Sequence, residues 1–216
     1  MNPNIETLQE ELITVIHIFN SNGWSQATST NYSFRNPDQT DTYTITSSGK
    51  DKSQVWTDDL MVVDREGKAV EGYTHIKPSA ETLLHTVLYA ANPQIHAILH
   101  THSIQGTILS MLHASDKQVK ITGFELLKGI QGITSHEAEV IVPIFANSQD
   151  IPALSQEIKT YYDAHPEMTG FLLAGHGFYT WGSSIAEAKR HMEAYEFLFE
   201  CMIKLHQLRG DFWKGN

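Results

Sequence analysis

Apolar residues near the start of the chain recur at helical spacing. Leu8, Leu12, Val15, Ile16 and Phe19 share one face, with polar side chains between them. The pattern predicts a helix over 5–20, with Gly23 as its stop. Over 25–36 the pattern dissolves into small and polar residues, which predicts loop or turn with room for short strands. The compact runs 43–46 and 60–63 predict strands, joined through a turn at Asp64-Arg65-Glu66-Gly67-Lys68. Pro78 and Ser79 open a helix over 80–91, with Ser79 as its N-cap and Asn92-Pro93 as its end. A strand over 95–101 follows, then helices over 104–112 and 124–128, a strand over 140–144 and an amphipathic helix over 151–164. Strands at 171–174 and 178–180 flank a Gly175-His176-Gly177 turn, and 185–208 forms the longest helix. The tail 211–216 carries Phe212 and Trp213, which predicts docking on the body or on a neighbouring subunit. Helices and strands mix from end to end without strict alternation. This predicts an α/β protein of one domain, residues 1–216, with a central, mainly antiparallel sheet between helical layers, a three-layer αβα arrangement.

Composition narrows the function. The chain has 15 basic and 25 acidic residues, a formal charge of −10. That balance disfavours nucleic acid and anionic membranes as partners. A small anion stays compatible, because a local pocket can oppose the global charge. No apolar run approaches the length of a membrane span. The single cysteine, Cys201, excludes an intramolecular disulfide and reads as core. The first residues lack the basic segment and apolar core of a signal peptide, so a cytoplasmic location is expected. Ser47-Ser48-Gly49-Lys50 resembles the tail of a phosphate-binding loop, but Thr44 stands where the first glycine belongs and Asp51 follows the lysine.

The candidate chemistry centres on His100-Thr101-His102, at the end of an apolar strand. Residues i and i+2 on a strand face the same side, so two imidazoles project together, as two ligands of one metal must. With 12 histidines in the chain, chance supplies roughly 0.7 such pairs, so the pair needs company. A catalytic zinc site typically takes three protein ligands and keeps one position open. His176, between Gly175 and Gly177, is the best third ligand, since the glycines allow a sharp turn and leave room around the ring. His96 lies on the same side of the strand and is a candidate to support the ligands. His85 and His191, within helices, read as surface or partly packed. Glu81 falls in the first turn of the helix over 80–91, where the helix dipole favours a carboxylate. With Ser79 beside it, the helix start also forms an anion pocket, so that Ser79 can touch a phosphate while Glu81 faces the metal. Glu125, amid apolar neighbours, is either an exposed position or a placed acid/base. The aromatic stripe Tyr195, Phe197, Phe199 reads as packing.

Seven ordered blocks together resemble the class II aldolase/adducin-like family of zinc enzymes, from about Gly23 to Leu208. They are Ala27-Thr28-Ser29-Thr30-Asn31-Tyr32-Ser33; Ile45-Thr46-Ser47-Ser48-Gly49-Lys50-Asp51-Lys52; Lys77-Pro78-Ser79-Ala80-Glu81-Thr82-Leu83-Leu84-His85; Leu99-His100-Thr101-His102; Glu125-Leu126-Leu127-Lys128-Gly129; Gly175-His176-Gly177 with Trp181-Gly182; and Glu193-Ala194-Tyr195-Glu196-Phe197-Leu198-Phe199. The second and third look like a dehydratase branch of the family. The resemblance implies one Zn2+ per subunit on His100, His102 and His176. It implies a phosphate pocket at Asn31, Ser48, Gly49 and Ser79, and a metal-proximal acid at Glu81. It also implies an acid/base at Glu125, a sugar-phosphate substrate, and a homotetramer with active sites near subunit interfaces. Two departures stand out: Thr30 replaces the usual glycine before Asn31, and Ala80 replaces the second serine of the aldolases. The competing expectations are a sugar-phosphate aldolase or 4-epimerase acting on fuculose, rhamnulose or ribulose phosphates, and a non-catalytic adducin-like interaction module.

Overall fold

The computed structural model describes residues 4–37 and 41–212. Five helices and eight strands run in the order α1 (Ile5–Ser21), β1 (Asn31–Arg35), β2 (Tyr43–Thr46), β3 (Leu60–Val63), α2 (Thr82–Ala91), β4 (Ala97–Thr101), α3 (Ile104–Leu112), β5 (Gln118–Ile121), β6 (Val140–Phe145), α4 (Ile151–Ala164), β7 (Gly170–Leu173), β8 (Gly177–Gly182) and α5 (Ile185–Phe212). Single 3-10 turns occupy Thr57–Asp59 and Glu125–Gly129. The strands form one sheet in the order β3-β2-β1-β4-β8-β7-β6-β5. Every pairing is antiparallel except β6 with β7. The mainly antiparallel α/β sheet expected from the sequence is the observed one.

Two apolar cores sandwich the sheet, because successive residues of a strand face opposite sides. On β4, Ala97 and Leu99 pack with Leu12, Ile16, Tyr195 and Phe199 of α1 and α5. Ile98 joins Leu84, Leu88 and Ile158 of α2 and α4 on the other side. Local caps fix the helix starts. Asn4 Oδ1 accepts from Thr7 N at 2.7 Å, Ser103 Oγ from Gly106 N at 2.9 Å, and Asp150 Oδ1 from Ala153 N at 3.1 Å.

Several expectations are corrected. The segment read as loop or turn with room for short strands holds one such strand, β1, and it lies inside the sheet between β2 and β4. The edge strand β5 went unpredicted. Helix α2 begins at Thr82, with Glu81 rather than Ser79 at the N-cap position and no side-chain cap. Ser79 Oγ instead accepts from Glu81 N at 3.3 Å. His85 and His191 are buried, not superficial. His191 Nδ1 lies 2.7 Å from Trp181 O, and Gln131 N donates to its Nε2 at 3.0 Å. His96 is exposed and supports no ligand. Of the aromatic stripe, Tyr195 and Phe199 are core, whereas Phe197 is exposed. Cys201 is only partly buried. Helix α5 runs on to Phe212; the rest of the tail, with Trp213, and the side chain of Phe212 lie outside the described residues. Among the described residues no helix is long and apolar enough to cross a membrane.

Candidate metal centre and substrate cleft

Sheet register lays the foundation of the site. Asn31 of β1 pairs with His100 of β4, and His100 pairs with Tyr179 of β8, so the three side chains form a row across adjacent strands. The row faces α2, and the Tyr179 ring stacks on His100 with centroids 3.8 Å apart. One residue beyond β4, His102 returns to the same face. His176 arrives from the tight β7–β8 turn, where Gly175 takes φ +67°. Gly177 is required by close approach: a Cβ there would stand 2.1 Å from Thr101 O and about 3 Å from the rings of both His100 and His102.

The three imidazoles converge as the sequence predicted. One nitrogen from each lies within 4.8 Å of the others. Ring centroids are 4.6 Å (100–102), 5.1 Å (100–176) and 4.5 Å (102–176) apart. His100 Nδ1 sits 3.0 Å from Phe178 O, so it carries the proton and leaves the Nε2 lone pair free. His176 Nδ1 lies 3.2 Å from Asn147 Oδ1, which orients that ring in the same way. The Nε2 atoms of His100 and His102 face each other at 2.8 Å. Two lone pairs at that distance repel unless a proton or cation lies between them. Burial, reinforced by the neighbouring imidazoles, pushes His100 well below the ordinary histidine range. Burial, then His176 and Lys52, pushes His102 down to about 4. Neutral imidazoles with aimed lone pairs are the donor set that a borderline divalent cation takes, so the residues fit a metal.

Glu81 closes one side of the triad. Its Oε1 lies 3.2 Å from His176 Nε2, and its Oε2 lies 3.6 Å from His100 Nε2. Oε2 also accepts from Asn31 Nδ2 at 2.7 Å and from the Tyr179 hydroxyl at 3.0 Å. Burial and the Glu81 carboxylate push the Tyr179 hydroxyl well up, so it remains a donor. Behind them His85, held down to about 3 by burial, bridges Asn31 Oδ1 and Ser33 Oγ. Tyr179 was not singled out from the sequence, and His85 was read as surface or partly packed. Nothing in their spacing marks them; only the register Asn31–His100–Tyr179 brings them together.

Beside the triad opens a cleft of about 280 Å³. Its lining includes Asn31, Ser48, Gly49, Ser79, Glu81 and His102, so the four expected phosphate residues share one cavity with a histidine of the triad. Ser48 and Gly49 turn at the exposed end of β2, with Gly49 at φ +73° and open space where a side chain would stand. A larger cavity of about 740 Å³ lies at the far end of β8, lined by Trp181, Tyr162 and Met168. Glu125 is not brought to the triad within this chain. It sits on the 3-10 turn Glu125–Gly129, exposed, 2.8 Å from Lys128 Nζ, which holds its carboxyl below the usual range.

Comparison with known proteins agrees with this geometry. Residues 10–203 match the family model described as Class II Aldolase and Adducin N-terminal domain. A protein of Marinobacter nauticus named methylthioribulose-1-phosphate dehydratase is 44% identical over 203 residues, 94% of this chain and 96% of that protein. One of the same name from Pseudomonas aeruginosa is 47% identical over 208 residues, 96% of this chain and 99% of that one. Among solved structures, YgbL from Klebsiella pneumoniae superposes with a TM-score of 0.79 at 26% identity, covering 94% of this chain and 92% of its own. The L-fuculose-1-phosphate aldolase from Thermus thermophilus shares the fold, with a TM-score of 0.74 at 22% identity over 95% of this chain and 98% of its own. The chain belongs to the class II aldolase and adducin family, and within it to the branch whose curated members are called methylthioribulose-1-phosphate dehydratase.

Proposed function

We propose that this protein is a zinc-dependent hydro-lyase that converts 5-methylthioribulose 1-phosphate into 2,3-diketo-5-methylthiopentyl 1-phosphate and water, a step of methionine salvage. The observation that carries the reading is the convergence of His100, His102 and His176, with Glu81 against them, on a polar cleft. The names of relatives at 44% and 47% identity over nearly the whole chain support it. Residues 1–216 act as one domain, in the cytoplasm and as a homotetramer, in this reading.

His100, His102 and His176 would hold the cation through Nε2 atoms, with Phe178 O and Asn147 Oδ1 fixing two of the rings. When bound, a divalent cation there supplies Lewis acidity to the C2 carbonyl of the substrate. Ser48, the Gly49 backbone and Ser79 cradle the phosphate, and Asn31 offers the second N–H of an amide whose first is given to Glu81. Anchoring that remote end positions C3 and C4 for reaction. A carboxylate takes the C3 proton, an acid protonates the departing C4 hydroxyl, and the resulting enol tautomerises to the diketone. Glu81 is oriented for proton transfer by Asn31 and Tyr179. Glu125, exposed in the single chain, fits a site completed by a second copy.

The deciding experiment incubates metal-loaded protein with 5-methylthioribulose 1-phosphate and follows the diketone. Diketone formation without cleavage of fuculose 1-phosphate or epimerisation of ribulose 5-phosphate is expected. Absence of diketone at full metal content refutes the proposal. His102→Ala is expected to lose both metal and turnover. Glu125→Gln is expected to keep metal and lose turnover, and a near-normal rate removes Glu125 from the mechanism.

A further inference from the structure

Lys52 is a buried cation without a counter-charge. It is 1% exposed, a position that lysine rarely takes unless paired. Among the described residues its one hydrogen bond goes to the Lys50 carbonyl at 2.9 Å, which occupies one of three donors. No described carboxylate comes within 4 Å of it. The two acids that act on it from farther away are committed elsewhere. Asp59 pairs with Lys50 at 2.7 Å, and Asp51 Oδ1 accepts from the Ser53 N–H and hydroxyl at 2.9 and 2.8 Å.

Its place in the fold supplies the explanation. Lys52 lies in the loop that leaves β2 through Ser48 and Gly49, two residues that line the cleft. Its charge is felt at His102, which lines the same cleft. The cleft wall offers hydroxyls, an amide, Glu81 and His102, but no lysine or arginine. In a chain of net charge −10, a doubly charged phosphate entering beside Glu81 meets an unfavourable field, and even with a divalent cation on the histidines, Glu81 and the phosphate together leave about one negative charge for a further cation to offset. Hydroxyl and backbone donors orient a phosphate, while a desolvated ammonium supplies the attraction.

We propose that Lys52, which does not itself line the cleft, is an electrostatic determinant of substrate binding, whose buried ammonium adds positive charge for the phosphate end of the ligand bound in the Ser48–Ser79 cleft. This rests on the function proposed above and adds to it the source of the charge. Burial holds the Lys52 amine down to about 8, so it is still mostly protonated at neutral pH. The competing role is purely structural, pinning the loop through the Lys50 carbonyl.

The test compares the metal-loaded wild-type protein with Lys52→Met and Lys52→Gln, using inorganic phosphate as the probe in calorimetry and 5-methylthioribulose 1-phosphate in kinetics. Both variants are expected to bind phosphate at least about tenfold more weakly and to raise KM by a similar factor. Metal content should be unchanged and Tm no lower, since a buried unpaired charge has been removed. Variants that bind phosphate within about twofold of wild type overturn the assignment while wild-type turnover keeps the proposed function intact. Loss of folding in both variants marks Lys52 as structural and also overturns it. A wild-type protein that binds phosphate through Lys52 yet forms no diketone refutes the reaction and supports the assignment. A wild-type protein that binds no phosphate refutes the assignment directly.

Discussion

Thr30 holds φ +70° immediately before Asn31, a conformation in which a β-branched side chain crowds its own backbone. Family resemblance leads one to expect glycine here, and the backbone keeps the glycine geometry although the residue has changed. Thr30→Gly is therefore expected to raise stability by about 1 kcal/mol in urea unfolding, the relieved strain exceeding the added chain entropy. A lower midpoint would mean that threonine contacts outweigh the strain. Glu196, on α5 behind the ligand strand, accepts from Thr101 Oγ1 at 2.9 Å, and burial pushes its carboxyl up to about 7. Its folded value lies above its unfolded one, so ionising it opposes folding. Stability is expected to fall as pH rises from about 4.5 to about 7, by at most roughly 3 kcal/mol from this group. Glu196→Gln should flatten that slope, and urea midpoints at pH 5 and pH 8 would show it. Thr30 was legible in the chain only as a departure from the family's glycine, and Glu196 not at all beyond its block. A glutamate on an amphipathic helix announces nothing until the strand it faces is known.

At the level of elements, long periodic segments were readable and buried polar ones were not. Helices α1, α3 and α4 follow their apolar stripes closely. Strand β1 was left open, as a loop with room for short strands, because Asn31, Ser33 and Arg35 give one face of it a loop-like polarity. That face is nonetheless covered: Asn31 by Glu81 and His85, Ser33 by His85 and Tyr89, and Arg35 by the Tyr89 carbonyl. Edge strand β5 hid for a different reason, since Gln118 and Lys120 alternate with only two apolar residues. The convergence of His100, His102 and His176 was legible because a strand's period of two and a glycine-flanked turn are local signals. The supporting shell was not, because it depends on cross-strand register. The two glycines of the β7–β8 turn differ in kind. Gly175→Ala meets only conformational cost, about 1 kcal/mol. Gly177→Ala drives a methyl group into the Thr101 carbonyl and both rings, and is expected to lower metal content as well as Tm. Metal analysis of the two variants side by side checks the distinction.

Over the described molecule, one run of exposed apolar residues lies on the helix next to the histidine triad. Ile104, Ile108, Met111 and Leu112 form an exposed stripe along α3, the helix that follows His102, and Met111 also lies beside Gly175 in the turn that carries His176. Leu126, beside Glu125, is exposed as well. Such a stripe fits an interface between copies of the chain. Met111→Glu is expected to shift sedimentation toward monomer and to lower turnover, and an unchanged oligomer with full activity would exclude α3 from the contact. The row Asn31–His100–Tyr179 has a further consequence. Its members sit far apart along the polypeptide, and they meet only when β1, β4 and β8 have docked in one register. A slip by a single residue would swing Tyr32 in place of Asn31, toward the wrong face. The histidines that would hold a cation come from the end of β4 and the β7–β8 turn, so they converge only once β4 and β8, far apart along the chain, have paired. A bound metal would therefore report that this distant pairing is complete rather than guide the early stages of folding, and the Asn31–Glu81 support would follow with β1.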